Sequence, residues 1–274
     1  EENAPRRDCI VSVCLHERGE RMSTYLNADC MNKKTGLPSY PDKYFDWCIA
    51  DPNYGIKEHG GKKRSGWAKQ PNGSKLWVND GGYEKKQWDE KPCSPRVLNE
   101  IVRVSKNQII FGINYLKWTP PSCGRIVWDK VNEGTDQSDC EIAFCSAHDT
   151  VRIFRFMWSG FCQGSSAKSG TVQKGDKSKN QDRFHPTEKP YEFYRWASAK
   201  YIKVGDTICD PFVGSASSLV IFEEMGFEYV AFEKDKDYYR DSTSRLEKFR
   251  RQGSLFTGRE IFEASRQVSI FDQP

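Results

Sequence analysis

Three polar stretches of this chain have the residue types and the setting for chemistry. Asp51-Pro52-Asn53-Tyr54-Gly55 follows the apolar-rich run Tyr44–Ala50. A buried strand that ends in a carboxylate, a rigid proline, an amide and an aromatic delivers polar groups to the carboxyl edge of a sheet, where open α/β sheets bind ligands. The same residue types also make an ordinary surface turn, so the rest of the chain has to decide. His185-Pro186-Thr187-Glu188-Lys189-Pro190 is a rigid polar turn ahead of a helical pattern. Asp210-Pro211-Phe212-Val213-Gly214-Ser215 closes the strand Thr207–Cys209, and a second strand, Tyr229–Phe232, ends at Glu233. A βαβ unit with a small-residue turn at its first strand end and an acid about twenty residues on is the arrangement that holds an adenosine ribose. Gly-x-Gly-x-x-Gly is absent, and Asp210 would repel a pyrophosphate. An acid there suits a positively charged group, an α-ammonium or a sulfonium.

Elements placed around these stretches fill the chain from residue 22. A short strand over Tyr25–Ala28 runs into Asp29-Cys30, and Tyr44–Ala50 is a second strand. Residues 57–87 have the composition of a long loop, and loops of that length in a compact domain are functional or disordered. Pro95–Ser105 has helical spacing, with Val97, Leu98, Ile101, Val102 and Val104 forming an apolar face. Strands follow at Gln108–Gly112 and Arg125–Trp128, then an adjacent pair at Glu141–Ser146 and Val151–Met157. Residues 163–183 are a Gly/Ser/Lys stretch with almost no apolar side chains. Helices over about 191–202, 216–225 and 237–251 complete an α/β pattern. The expected fold is a single Rossmann-like, doubly wound, mostly parallel sheet over 22–252, with an N-terminal extension at 1–21 and a C-terminal tail at 253–274.

Composition narrows the class. The chain has 274 residues and a formal net charge of +4. Residues 57–87 hold eight Lys/Arg against three Asp/Glu, and residues 159–183 hold five against two, so the remainder sums to −4. Two basic segments on a slightly acidic body point to a polyanion-binding face. No run of eighteen apolar residues could span a membrane, and no secretory pattern is visible. The ten cysteines are scattered, several inside apolar strand runs such as Cys48, Cys145 and Cys209. They read as reduced thiols of a cytosolic protein. Cys9, Cys14 and His16 are the one cluster that invites a zinc site, but they lack the spacing of a zinc knuckle, and no metal is expected.

Together, Asp-Pro-Asn-Tyr, His-Pro-Thr-Glu-Lys-Pro and Asp-Pro-Phe-Val-Gly-Ser resemble the motifs of amino-methylating DNA methyltransferases that use S-adenosylmethionine. In that family Asp-Pro-Pro-Tyr is catalytic and Asp-Pro-Phe-x-Gly-Ser-Gly binds the cofactor. The catalytic motif comes first here, which matches the permuted β class, and the resemblance covers about 22–252. It implies that Asp210, Phe212, Gly214 and Ser215 line the methionine and ribose part of the cofactor, with Glu233 on the ribose. It places Asp29 and Cys30, which resemble a Gly-Asp-Cys element, beside the cofactor adenine, and Lys189 near the cofactor carboxylate. Asp51, Pro52, Asn53 and Tyr54 would handle a base flipped out of double-stranded DNA. Adenine N6 is expected in preference to cytosine N4, because cytosine enzymes of the family more often carry Ser at position 51.

Two departures bear on activity. Asn53 replaces the family's second proline, and Ala216 stands where the cofactor motif has its second glycine. A methyltransferase fold weakened by Asn53 and serving as a DNA-binding subunit is the competing class, and an RNA or protein methyltransferase is a third. In the family, target recognition lies between the two motifs, where both basic segments fall. Lys62, Lys63, Arg64, Trp67, Lys75, Lys168, Lys174 and Lys177 are the candidate DNA contacts. Segments this short imply a short recognition sequence or help from a homodimer. Gln267-Val268-Ser269-Ile270-Phe271 resembles the peptides that dock on bacterial sliding clamps. A bacterial or bacteriophage origin, and a place in the cytoplasm on the nucleoid, go with this resemblance.

Overall fold

A computed structural model describes residues 23–57, 66–69, 75–78, 86–132, 138–159, 162–164, 181, 185, 187–253 and 258–271. In chain order the strands are β1 (Thr24–Asn27), β2 (Phe45–Ala50), β3 (Gly66–Lys69), β4 (Lys75–Val78), β5 (Ser105–Ile110), β6 (Arg125–Asp129), β7 (Cys140–Cys145), β8 (Val151–Arg155), β9 (Met157–Ser159), β10 (Cys162–Gly164), β11 (Thr207–Asp210) and β12 (Glu228–Glu233). The helices are α1 (Pro95–Val104), α2 (Tyr191–Tyr201), α3 (Ser217–Glu224), α4 (Lys236–Gln252) and α5 (Gly258–Phe271).

Eight strands form one sheet in the order β1-β12-β11-β2-β5-β7-β6-β8. The five from β1 to β5 are parallel, β7 runs antiparallel to both its neighbours, and β8 is parallel to β6. The chain leaves β11 towards β12 on one side and β2 towards β5 on the other. Adjacent strands whose connections depart in opposite directions open a crevice at their carboxyl ends. Asp51 and Asp210 stand at those two ends. This is the doubly wound α/β arrangement expected from the sequence.

β2 is buried along nearly its whole length, as a strand covered on both faces must be. Its side chains divide between two apolar clusters: Trp47 and Ile49 in one, Phe45, Cys48 and Ala50 in the other. The first cluster packs α2 and α3 against the sheet through Phe193, Ala197, Leu219 and Phe222. The second packs α1 through Leu98, Ile101 and Val104. α4 is started by Asp235, whose carboxylate accepts the amide hydrogens of Asp237 and Tyr238 at 2.9 and 3.0 Å.

Three expectations are corrected. Segment 57–87 is not loop throughout, since β3 and β4 form an antiparallel ribbon with Trp67 opposite Trp77 and Lys69 opposite Lys75. β7 and β8 are not adjacent, because β6 lies between them and pairs with both. Residues 258–271 are helical, and Phe262 is buried edge-on against Phe227. The clamp-like pentapeptide therefore ends a helix rather than lying extended.

Among the described residues no helix is long and apolar enough to cross a membrane, no group of His, Cys, Asp and Glu could hold a metal, and seven cysteines are unpaired thiols. Cys9, Cys14 and His16 lie outside the described residues.

Candidate active site

One cavity of about 790 Å³ opens over the carboxyl ends of β1, β2, β11 and β12, a volume suited to a nucleoside-sized ligand. Its wall gathers Asp29, Cys30, Asp51, Pro52, Asn53, Tyr54, Lys189, Phe212, Gly214, Ser215 and Glu233. Residues far apart in the chain, read separately as catalytic and cofactor-binding, thus face one space. Asp210 is the exception. It sits behind the wall, 3% exposed, with Oδ1 accepting the Phe212 amide at 3.0 Å and Oδ2 accepting the Ser218 hydroxyl.

The loop after β11 is shaped for close approach. Gly214 has φ +54°, and Ala216, at φ +61° and ψ 23°, takes up the left-handed conformation that a second glycine would adopt freely. An L-residue pays roughly 1–2 kcal/mol there, against the burial of one methyl group. Ala216→Gly is therefore expected to stabilise the protein by about 0.5–1 kcal/mol, measured by urea unfolding. A loss of stability would mean that methyl packing outweighs the strain.

Glu233 holds this loop in place. Its carboxylate accepts the Gly214 amide at 2.8 Å and the Asp235 amide at 2.7 Å. Each carboxylate oxygen has a second lone pair, so the group can still receive two ribose hydroxyls. Asp29 is tied by Oδ1 to the Met31 amide at 2.9 Å and by Oδ2 to Lys234 at 2.8 Å. Across the cavity, His185 packs between Trp88 and Tyr238, with ring centroids 5.2 and 4.4 Å away. Burial, reinforced by Lys189, pushes His185 down to about 3, so this ring is neutral. Small residues, an acid for hydroxyls and aromatic walls make a set that fits an adenosine, while Asp210, the acid expected to face a positive charge, lies behind the wall.

Burial pushes the Asp210 carboxyl up to about 7, with Asp51 and Glu233 adding to the rise against the Ser218 and Phe212 hydrogen bonds. The folded state therefore holds this proton more tightly than the unfolded one, where an aspartate titrates near 4. Its contribution to stability is present below about pH 4 and is lost as pH rises through 7, on the order of 3–4 kcal/mol. Asp210→Asn removes that dependence. Urea unfolding at pH 5 and pH 8 should show the variant gaining on the parent at the higher pH. His185 slopes the opposite way, but in both proteins, so it cancels in the difference. Parallel curves would contradict the assignment.

At the carboxyl end of β2 the chemistry is denser. Asp51 Oδ1 accepts the Tyr54 hydroxyl at 2.7 Å and lies 3.0 Å from Lys189 Nζ. Oδ2 has no hydrogen-bond partner among the described residues. Glu141, inward-facing on β7, comes within 2.5 Å of the Tyr54 hydroxyl and 3.0 Å of Lys189 Nζ through Oε1. Its Oε2 lies 3.2 Å from Lys130. Two carboxylates and two ammonium groups thus balance. Burial opposes the charge on Glu141, but Lys189 and Lys130 outweigh it and hold its carboxyl down to about 2. Burial pushes Asp51 up, Lys189 pulls it back, and the nearby Glu141 charge adds to the rise. Lys189, expected on the cofactor side, is turned to Asp51. Glu141 was missed in the sequence, where only its polarity inside the strand Cys140-Glu141-Ile142-Ala143-Phe144 marks it.

The loop that carries Tyr54 is anchored without its second proline. The Asn53 side-chain amide donates to the Lys91 carbonyl, and the Asn53 backbone carbonyl accepts the Cys93 amide at 2.9 Å. Asp89, 1% exposed, takes the Gly55 amide at 2.6 Å. Tyr54 stacks one face on Tyr115, with centroids 5.3 Å apart and planes 16° apart. Gly112, at φ +64°, lets that ring in, since a Cβ there would stand 2.1 Å from it. A side-chain tether here does the work of a ring constraint.

Of the candidate DNA contacts, Trp67 and Lys75 lie on the β3–β4 ribbon. Lys62, Lys63, Arg64, Lys168, Lys174 and Lys177 fall outside the described residues.

Residues 127–244 match the family model of the N6/N4 methyltransferases, described as DNA methylase. The type II methyltransferase M.HinfI of Haemophilus influenzae is 22% identical over 265 residues, 82% of this chain and 68% of that protein. The type II methyltransferase M2.DpnII of Streptococcus pneumoniae is 35% identical over 63 residues, 23% of this chain and 24% of that protein. Among solved structures, the M1.HpyAVI–SAM complex aligns with a TM-score of 0.43 at 15% identity, covering 82% of this chain and 99% of its own. The cytosine-N4-specific PvuII DNA methyltransferase aligns at 0.44 and 11% identity, covering 91% and 96%.

Proposed function

We propose that this chain, an amino-group DNA methyltransferase by family, transfers a methyl group from S-adenosylmethionine to adenine N6 in double-stranded DNA. The observation that carries this reading is the shared cavity, with Asp51 on one wall and the Gly214 loop with Glu233 on another. Glu233, Asp29 and the small residues Gly214 and Ser215 would hold the donor, which supplies an electrophilic methyl on a sulfonium. An exocyclic amino nitrogen is a poor nucleophile, because its lone pair is delocalised into the ring. Asp51 Oδ2 accepts one amino hydrogen and the Pro52 carbonyl the other, which favours a tetrahedral nitrogen and aims its lone pair at the methyl. Tyr54 lines the cavity, and Tyr115 braces one face of its ring. The basic segments 57–87 and 159–183 would hold the phosphates around the flipped base, which puts the protein on the nucleoid.

The test is incubation with methyl-labelled donor and duplex DNA, followed by digestion to nucleosides. Label in N6-methyladenine is expected. Label in N4-methylcytosine would overturn the base assignment. DNA binding with no label transferred would overturn the enzyme in favour of a binding subunit, and label in RNA or protein alone would overturn the substrate.

A further inference from the structure

The buried cluster at the carboxyl end of β2 holds a group that the proposed transfer does not use. Glu141 is buried, 7% exposed at its side chain, and its Oε1 shares both the Lys189 ammonium and the Tyr54 hydroxyl with Asp51 Oδ1. The Tyr54 hydroxyl has one hydrogen to donate, yet it stands 2.7 Å from one carboxylate oxygen and 2.5 Å from another. Both contacts are hydrogen bonds at once only when the three oxygens hold two protons between them. The cluster therefore has a place for one further proton, within reach of Asp51.

We propose that Glu141 is a positioning residue which, with Tyr54, completes a proton-receiving site for Asp51. The inference rests on the proposed transfer, which releases one proton. The bond from sulfur to methyl carbon breaks with its electron pair left on sulfur, and the amino lone pair forms the new bond to carbon. The nitrogen then gives up a hydrogen as a proton to Asp51. That proton rests on Asp51, and the Tyr54 hydroxyl is then free to give its single hydrogen to the Glu141 carboxylate. Lys189 and Lys130 keep the cluster from carrying an uncompensated negative charge when the proton leaves. The other charged and titratable groups facing Asp51 are Tyr194 of α2 and Asp210 of β11. Neither shares a hydrogen-bond partner with Asp51, whereas Glu141 shares both the Tyr54 hydroxyl and the Lys189 ammonium, so Glu141 is the acid placed to set how firmly Asp51 holds its proton. Without the Glu141 charge, Lys189 belongs to Asp51 alone, and Asp51 becomes a weaker base.

Glu141→Gln in the full chain tests this by two measurements. The first follows the carboxyl ¹³C resonance of Asp51 over pH in the folded protein without donor or DNA, assigned with Asp51→Asn. Its midpoint should fall by about one pH unit in Glu141→Gln. The second is single-turnover methyl transfer over pH, where the acid limb should move the same way and the plateau should drop about three- to tenfold. Donor affinity should stay within about twofold, because Glu141 does not line the cavity. Glu141→Asp keeps the charge but withdraws it by one methylene, so it should move the midpoint less in the same direction, and it carries the test if the amide variant does not fold. An unmoved Asp51 midpoint in whichever variant folds overturns the proposal, as does a transfer profile that superimposes on the parent. A parent that transfers no methyl overturns the function proposed above instead, and the Asp51 midpoint then decides the role of Glu141 by itself.

Discussion

Asp51→Asn is expected to lower single-turnover methyl transfer to DNA about 10³-fold, within the 10²–10⁴ span of a positioned acid or base. The loss has two sources in the geometry. The carboxylate presents two acceptor oxygens, Oδ1 committed to Lys189 and Tyr54 and Oδ2 without a hydrogen-bond partner among the described residues. An amide can satisfy one of these faces with its oxygen, and its NH₂ then meets either the Lys189 ammonium or the hydrogen of the incoming amino group. Either orientation misplaces a donor where an acceptor is required. The amide also cannot take the surplus proton. Folding should survive, because the substitution removes a buried charge from a cluster that retains Glu141 against Lys189. The check is a rapid-quench time course at saturating donor and DNA, with circular dichroism on the same sample. A variant within about tenfold of the parent would mean that the Pro52 carbonyl alone orients the nitrogen, and that Asp51 is not the base.

Where the sequence carried the site and where it did not follows from how each residue is built in. Asp51 and Gly214 stand at strand ends beside turn residues, so local chemistry marks them. Strand β2 announces itself as an apolar run because both its faces are covered, and the acid at the end of β12 is a fixed distance along a βαβ unit. Glu141 and Asp89 have no such mark. Each is a single acid whose meaning comes from a partner dozens of residues away, Tyr54 at 2.5 Å for the first and the Gly55 amide at 2.6 Å for the second. The resemblance assigns Lys189 to the cofactor, and only the fold brings its ammonium to Asp51 and Glu141. The misread pairing of β7 with β8 has a similar cause. Consecutive strands joined by a short connection are usually neighbours, and nothing local to 140–155 shows that β6 is inserted between them.

Asn53 illustrates the opposite outcome. Taken from the motif alone, it loosens the catalytic loop, because it restores a backbone N–H and frees φ. In the fold the side chain supplies a restraint of its own, to the Lys91 carbonyl, while its backbone carbonyl holds Cys93. The competing view of a weakened enzyme rests on that looseness, and these two hydrogen bonds oppose it.

Lys189→Met should be among the most destabilising single substitutions in this protein, costing about 3–5 kcal/mol near neutral pH. The side chain is 3% exposed and its ammonium lies 3.0 Å from both Asp51 and Glu141. Methionine fills the space but leaves two carboxylates beside one hydroxyl, with Lys130 reaching only the far oxygen of Glu141. The cluster can recover neutrality in one way, by holding a proton on Asp51, whose carboxyl burial already pushes up. That fixes the sign of the pH dependence. Raising the folded-state proton affinity of an acid makes its stability contribution present at low pH and lost as pH rises through the folded value. The variant should therefore unfold in less urea at pH 8 than at pH 6, with a steeper fall than the parent shows. Adding Glu141→Gln should return a large part of the loss, because one of the stranded charges is then gone, and the coupling between the two sites should exceed about 1 kcal/mol in a double-mutant cycle. Additive losses would show that Lys189 and Glu141 act on Asp51 separately. The same protonation silences Asp51 as an acceptor, so methyl transfer by Lys189→Met should fall with the stability and should not be rescued by saturating donor.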